Sequence, residues 1–202
     1  MKISIISGSH RKNSQSEKIS RYLMNELTKK LAVTTHLVTL NENPIPLMDE
    51  EFFNLESQKW NKVWNPIATE LQSADGIIVV TPEWHGMVPA GLKNLLLLTS
   101  AKEVGHKPGL IVSVSAGGSG AYPINELRTS GYKNSRICYI PEHLIIRDCT
   151  HVLNNDAPES PADEAIRQRI TYTLNILIEY AKALKSVRES GKIDYKTFPN
   201  GM

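Results

Sequence analysis

Short apolar runs alternate along this chain with longer segments in which apolar residues recur at helical spacing. The short runs are rich in β-branched residues and are bounded by polar residues, Gly or Pro, which is typical of buried strands. Five strands are predicted, at residues 3–6, 33–40, 76–80, 109–114 and 136–146. Five helices are predicted, at residues 14–30, 60–71, 90–99, 122–131 and 160–188.

This alternation predicts the fold class. Parallel strands joined by helices form an α/β sheet with helices on both faces. We expect a single flavodoxin-like, doubly wound domain over residues 1–188, with five parallel strands in the order 2-1-3-4-5. The remaining residues, 189–202, form a C-terminal tail that is expected to be mobile after Gly191. A chain of 202 residues can bury a core without disulfides or a metal.

The first predicted strand ends in a polar stretch, residues 7–14, here named the first loop. A strand that leads through a tight loop into a helix start is a phosphate-binding arrangement, because the first helical N–H groups are unpaired and carry partial positive charge. Ser14 and Glu17 have the spacing of a capping box. The loop lacks both G-x-x-x-x-G-K-[ST] and G-x-G-x-x-G, so it instead suits a small phosphomonoester such as the tail of FMN. The alternative is an ordinary surface turn capped by serines.

Two further polar loops follow predicted strands. The second loop, residues 81–89, contains two prolines, Gly86 and the flat rings of Trp84 and His85. The third loop, residues 115–120, is rich in glycine and serine. Because ligands of open parallel sheets bind at the carboxyl ends of the strands, the three loops should converge on one crevice. A flat cofactor ring could lie against the second loop, whose alternative interpretation is a rigid turn with a packed Trp.

Composition and charge exclude several other classes. The net charge of +2 is too small for a nucleic-acid surface, and no apolar run is long enough to span a membrane. The histidines lack metal-ligand spacing, and Cys138 and Cys149 are expected to be small buried hydrophobes. Residues 117–121 (GGSGA) lack the final glycine of a nucleophile elbow, which argues against a serine hydrolase. Since the chain opens directly into a strand, no signal peptide and a cytoplasmic location are expected.

Three separated motifs resemble those of the NADPH-dependent FMN reductase family. They are residues 8–14 (GSHRKNS), 81–94 (TPEWHGMVPAGLKN) and 115–118 (SAGG), against family patterns G-S-x-R-x-x-S and P-E-Y-N-G-x-x-P-x-x-L-K-N. The resemblance implies that the first loop and helix start hold the FMN phosphate, through Ser9, Arg11, Asn13, Ser14, Gln15 and Ser16. It also implies that the isoalloxazine ring lies between the second and third loops, lined by Pro82, Glu83, Trp84, His85, Gly86, Ser115, Gly117 and Gly118.

The same resemblance implies the chemistry. NADPH would pass hydride to N5 of the flavin, and a small acceptor such as a flavin, quinone, azo compound or metal oxyanion would take the electrons. No residue is predicted to act as a catalytic acid or base, and no metal site is predicted. Similar proteins are commonly homodimers or homotetramers, for which the predicted helix at 90–99 and residues 43–53 are the expected contact surface.

The chain departs from the family pattern at two positions and leaves alternatives open. Trp84 replaces the usual Tyr and still offers a stacking ring, whereas His85 replaces the usual Asn and adds a titratable group. One alternative is a flavodoxin-type electron carrier, although such carriers are typically strongly acidic. The other is a degenerate member that serves as an interaction protein without enzymatic activity.

Overall fold

The computed structural model describes residues 1–201, in which five parallel strands form one sheet with helices on both faces. The strands are β1 (Lys2–Ser7), β2 (Thr34–Thr39), β3 (Gly76–Pro82), β4 (Pro108–Val114) and β5 (Cys138–Ile146). Their order is β2-β1-β3-β4-β5, which confirms the predicted flavodoxin-like topology. The central strands β3 and β4 are buried along their whole lengths, as their continuous apolar sequences predict.

Six α-helices connect and cover the strands. They are α1 (Gln15–Asn25), α2 (Gln58–Ser73), α3 (Ala90–Leu98), α4 (Ala101–Val104), α5 (Ala121–Thr129) and α6 (Pro161–Arg188). A π-helical segment, Glu26–Lys30, continues α1 to the predicted end of the first helix. The sequence marks α6 well, because Ser160 caps the amide of Asp163 and Pro161 occupies the first turn.

The core consists of two apolar layers, one on each face of the sheet. On one face α1 and α6 pack against the sheet, and Leu23, Leu174 and Ile5 of β1 belong to this layer. On the other face α2, α3 and α5 pack against the sheet, for example through Leu71 and Leu92. Each strand sends alternate side chains to opposite layers, which is why Ile5 and the neighbouring Ile6 belong to different layers. The carboxyl ends of the strands remain free of helices and present the polar loops.

Strand β5 lies at the edge of the sheet and is interrupted at Pro141, as predicted. Gly109 of β4 pairs with Tyr139, but Ile111 pairs with His143, so β5 carries extra residues between these two pairs. Proline cannot donate to the ladder and is tolerated in such an irregular edge strand.

The structure differs from the sequence predictions in three places. The short helix α4 was not predicted, although Ser100 and Glu103 form a complete capping box at its start. The predicted capping box of α1 forms only in part, because the Glu17 carboxylate bonds Arg21 instead of returning to the amide of Ser14. The tail, expected to be mobile after Gly191, instead lies against the start of β5.

Arg136 makes most of the contacts that hold this tail. Its guanidinium donates to the carbonyl oxygens of Phe198 at 2.6 Å and Pro199 at 3.3 Å, and lies 4.9 Å from the ring centroid of Tyr195. Since these partners are separated from Arg136 by about 60 residues of sequence, no local pattern in the chain indicates them.

Candidate functional site

The first loop leaves the sheet at Gly8, where the backbone passes very close to its neighbours. The Gly8 amide donates to the carbonyl of Val80 at 2.8 Å. A Cβ at this position would lie 2.5 Å from Leu92 Cδ2 and 2.9 Å from the Val80 carbonyl oxygen. Only glycine fits without a shift, so Gly8 fixes the first loop against β3 and α3.

Beyond Gly8 the chain turns into the start of α1 and presents polar groups. Ser14 is the N-cap, and its hydroxyl accepts a hydrogen bond from the amide of Glu17 at 3.1 Å. The amides that precede Glu17 in the first turn have no helical acceptor, as at every helix start. Ser16 is buried, and within residues 1–201 neither its Oγ nor Oε1 of Gln15 has a hydrogen-bond partner. Arg11 and Asn13 are exposed beside them, and Asn13 has a φ of +50°.

The second loop is a tight hairpin. The amide of Trp84 donates to the carbonyl of Met87 at 3.1 Å, and the amide of Met87 donates back to Trp84 at 2.9 Å. The two central residues, His85 and Gly86, have φ of +51° and +73°, as a type I′ turn requires. Asn-Gly is the preferred pair in such turns, and His also tolerates the left-handed region better than most residues. The substitution of His85 for the family's usual Asn is therefore compatible with the same turn.

Side chains from the second loop reach the first. The indole of Trp84 packs edge-to-face against His10, with ring centroids 4.9 Å apart. The guanidinium carbon of Arg11 lies 5.9 Å from the Trp84 ring. The Trp84 side chain therefore contacts the first loop, and the two loops together form one wall of the candidate site.

The residues that follow the second loop, Leu92, Lys93 and Asn94, support this wall from outside. Leu92 packs against Gly8, and Lys93 bonds Glu126, whose other carboxylate oxygen accepts from the amide of Val88 at 2.7 Å. The buried Asn94 donates to the carbonyl of Pro46 and accepts from the amide of Met48, which orders the long stretch at 41–54. The structure therefore gives the L-K-N motif a supporting role.

Two side chains hold the third loop. Glu83 Oε2 accepts a hydrogen bond from the amide of Gly120 at 2.8 Å. Arg147 Nε donates to the carbonyl oxygens of Gly118 at 2.7 Å and Ser119 at 2.9 Å. No atom lies within 4 Å of where a Cβ on Gly117 or Gly118 would be, so this loop presents a bare backbone to open space.

A cavity of about 340 Å³ joins the first two loops at the carboxyl edge of the sheet. Nine of the predicted site residues line it: Ser9, Arg11, Asn13, Ser14, Gln15, Ser16, Pro82, Glu83 and Trp84. The other five, His85, Gly86, Ser115, Gly117 and Gly118, lie in the adjoining second and third loops but do not line the cavity itself.

Four residues that sequence reasoning did not assign to the site also line the cavity: Val114, Ala116, Cys149 and Thr150. Cys149 and Thr150 follow β5, whose carboxyl end lies at the same edge of the sheet as those of the other strands. This position after a parallel strand was the sequence signal that could have identified them as site residues. Lys18 of α1 holds this segment by donating to the carbonyl of Cys149 at 2.6 Å. Burial raises the pKa of the Cys149 thiol, and the nearby Lys18 opposes that rise.

A parallel sheet with this strand order, a polar helix start and an aromatic turn at its carboxyl edge defines a flavodoxin-like α/β protein with a candidate anion site. Residues 1–151 match the NADPH-dependent FMN reductase family, and the chain belongs to that family. It is an NAD(P)H-dependent oxidoreductase that uses FMN and NADPH.

Individual relatives agree with this assignment. The chain is 28% identical over 163 residues to an NADPH azoreductase of Bacillus sp. strain OY1-2, covering 79% of this chain and 83% of that protein. It is 30% identical over 128 residues to a quinone reductase of Pseudomonas putida, covering 61% of this chain and 64% of that protein. Its fold is similar to that of the flavoenzyme NAD(P)H:(acceptor) oxidoreductase FerB of Paracoccus denitrificans. That structure matches with a TM-score of 0.69 at 14% identity, over 90% of this chain and 97% of FerB.

Across residues 1–201, every helix is too short or too polar to serve as a membrane span.

Proposed function

We propose that the cavity at the carboxyl edge binds FMN with its phosphate at the start of α1. The observation that carries this proposal is that one cavity joins the helix start to the aromatic second loop. The phosphate would be held by Ser9, Arg11, Asn13, Ser14, Gln15 and Ser16. Pro82, Glu83, Trp84, His85 and Gly86 would line one side of the ring, and Ser115, Gly117 and Gly118 the other.

The groups in the cavity fit a phosphate ester. The buried Oγ of Ser16 has no partner among the described residues, and a hydroxyl can donate to a phosphate oxygen. The amides at the start of α1 and the exposed guanidinium of Arg11 supply further donors. At this end the cavity is lined by Arg11 and neutral polar side chains, so a phosphate there would meet one cation and no carboxylate.

The open backbone of the third loop fits a flat ring. Side chains at Gly117 or Gly118 would project into the space beside the loop, where the structure leaves room. When bound, FMN would supply the redox chemistry, taking hydride from NADPH and passing electrons to the second substrate. The residues named above would bind and orient its ring.

We propose a quinone or an azo compound as the acceptor class. The support is that the two similar enzymes described above are a quinone reductase and an NADPH azoreductase. Both acceptors are flat and conjugated, so each could stack on the exposed ring face in the place that the nicotinamide leaves.

We also propose that the protein forms a homodimer or homotetramer through α3 and residues 43–53. Leu47, Phe53 and Leu97 are large apolar side chains on this surface, with exposures of 75%, 72% and 61%. Exposed apolar side chains grouped in this way are typical of an interface. The expected cytoplasmic location stays a prediction.

The first experiment is to mix the purified protein with FMN, desalt it and add NADPH without oxygen. Retained yellow colour that bleaches supports the proposal, whereas colour that persists after NADPH indicates an electron carrier. Loss of all colour, together with no binding on titration, contradicts FMN binding.

The phosphate site is tested by comparing FMN with riboflavin. In Arg11→Ala, FMN affinity should fall about 10-fold or more while riboflavin affinity stays the same, because only FMN carries the phosphate that the guanidinium would bind. Lys133→Ala is the matched control, because Lys133 is an exposed cation that does not line the cavity. Equal weakening of FMN and riboflavin would contradict the assignment of Arg11.

A further inference from the structure

Glu83 connects the second loop to the third. Its Oε2 accepts a hydrogen bond from the amide of Gly120 at 2.8 Å. Gly120 has a φ of +105°, and a Cβ there would lie 2.4 Å from Ile145 Cγ2, so only glycine fits at this position without a shift. One carboxylate oxygen of Glu83 is therefore bonded to the backbone of the third loop.

The other oxygen of Glu83 is in a different situation. Oε1 is buried, and within residues 1–201 it has no hydrogen-bond partner. Glu83 also lines the cavity that joins the first two loops. Burying a carboxylate oxygen without a hydrogen-bond donor costs free energy. We therefore expect a donor to reach Oε1 when a ligand is bound.

Two donors in this part of the site bond acceptors other than Glu83. Arg147 Nε donates to the carbonyl oxygens of Gly118 and Ser119 and not to Glu83. Trp84, the next residue in the wall, uses its amide for the hairpin bond to Met87. Neither bonds Oε1, and Glu83 lines the cavity, where a bound ligand could supply the donor.

We propose that Glu83 Oε1 accepts a hydrogen bond from the bound flavin. FMN carries two kinds of donor that could reach a carboxylate, the ribityl hydroxyls and the ring N3–H. Glu83 then positions the third loop with one oxygen and binds the cofactor with the other. This inference rests on the proposed binding of FMN in this cavity.

Glu83→Gln is the informative variant. A glutamine has one oxygen and one NH₂ group, so it can accept from the Gly120 amide or from the flavin but not from both. Either orientation leaves two donors facing each other. We expect FMN to bind about 10- to 100-fold more weakly, the loss typical of a hydrogen bond to a charged group.

Glu103→Gln is the matched control. The Glu103 carboxylate also accepts from a backbone amide, that of Ser100 at 2.8 Å, and its charge is removed in the same way. Glu103 lies in α4 and does not line the cavity. Its variant should therefore leave the FMN dissociation constant within about twofold of wild type.

The thermal stability of the apoprotein separates binding from a structural role. Without FMN, Oε1 has no donor to lose, so Glu83→Gln should unfold at the wild-type temperature or above it. Its gain in Tm on adding FMN should be smaller than that of wild type. A lower Tm of the apoprotein, or an unchanged FMN affinity, would overturn the inference.

Two flavin analogues identify the donor when their binding to wild type is compared with their binding to Glu83→Gln. If N3–H is the donor, 3-methyl-FMN binds wild type more weakly and loses nothing further in Glu83→Gln. If a ribityl hydroxyl is the donor, lumiflavin, which lacks the ribityl chain, binds wild type and variant equally. Equal losses on Glu83→Gln for FMN and both analogues would contradict a hydrogen bond to either donor. Failure of wild type to bind FMN at all would instead contradict the proposed function.

Discussion

Replacing Gly8 by alanine tests how the first loop is fixed to the sheet. The added methyl would lie 2.5 Å from Leu92 Cδ2 and 2.9 Å from the carbonyl oxygen of Val80. The Leu92 methyl can move, but Leu92 is fully buried and its displacement disturbs the packing of α3. The Val80 oxygen belongs to the central strand β3 and cannot move without disturbing the sheet.

Overpacking of this kind costs about 1–3 kcal/mol of unfolding free energy. For a chain of 202 residues, each kcal/mol lowers Tm by about 2–4 °C, so Gly8→Ala should lower the Tm of the apoprotein by about 2–12 °C. Gly117→Ala is the matched control, because nothing lies within 4 Å of its Cβ position. That control should change stability by less than about 1 kcal/mol.

Urea unfolding of the two apoprotein variants measures the difference, and Gly8→Ala/Leu92→Ala tests its cause. Because Leu92→Ala removes the methyl that the new Cβ would meet, the double variant should be less destabilised than the sum of the single variants by about 0.5 kcal/mol or more. Strict additivity, or a Gly8→Ala variant as stable as wild type, would refute the proposed close contact.

Three other residues give independent predictions. His85→Asn should retain wild-type stability in urea, whereas His85→Val should lose about 1–2 kcal/mol, because a β-branched residue resists the positive φ of this turn. Arg136→Ala should release the tail, seen as faster tryptic cleavage at Lys192, while the exposed Arg21→Ala should leave that rate unchanged. Burial lowers the pKa of His106 from its ordinary 6.5, so the unfolded chain takes up the proton first as the pH falls. The contribution of His106 to stability should therefore be complete above about pH 6.5 and decline below it. The free energy of unfolding, measured in urea, should change less between pH 7.5 and pH 5.5 in His106→Asn than in wild type.

The sheet and most helices could be predicted from the sequence because their signals are local. The apolar runs of β3 and β4 and the Ser160–Pro161 start of α6 each depend on neighbouring residues. Contacts between distant parts of the chain produce no local pattern in the sequence. Arg136 and Phe198 illustrate this, since neither residue type nor spacing indicates that they meet.

The site was predictable to the extent that it follows from the topology. In a parallel sheet all carboxyl ends share one edge, so loops after β1, β3 and β4 had to approach each other. The same rule applied to β5, yet residues 149–150 carry no glycine or hydroxyl-rich motif that drew attention to them. The bond between Glu83 and Gly120 was also beyond prediction, because it depends on the side-chain rotamer of one residue and the φ of another.

The supporting contacts indicate that the site is largely formed before any cofactor binds. Glu83 joins the second loop to the third, Glu126 fixes Val88 of the second loop, and Arg147 fixes the third loop from the end of β5. Each contact links main-chain atoms of a loop to a residue on another element, which limits the motion of that loop. A preformed site loses less conformational entropy when it binds its ligand, so more of the contact energy appears as affinity. Weakening one of these supports should therefore lower FMN affinity through increased loop disorder, even where the altered side chain touches no part of the flavin.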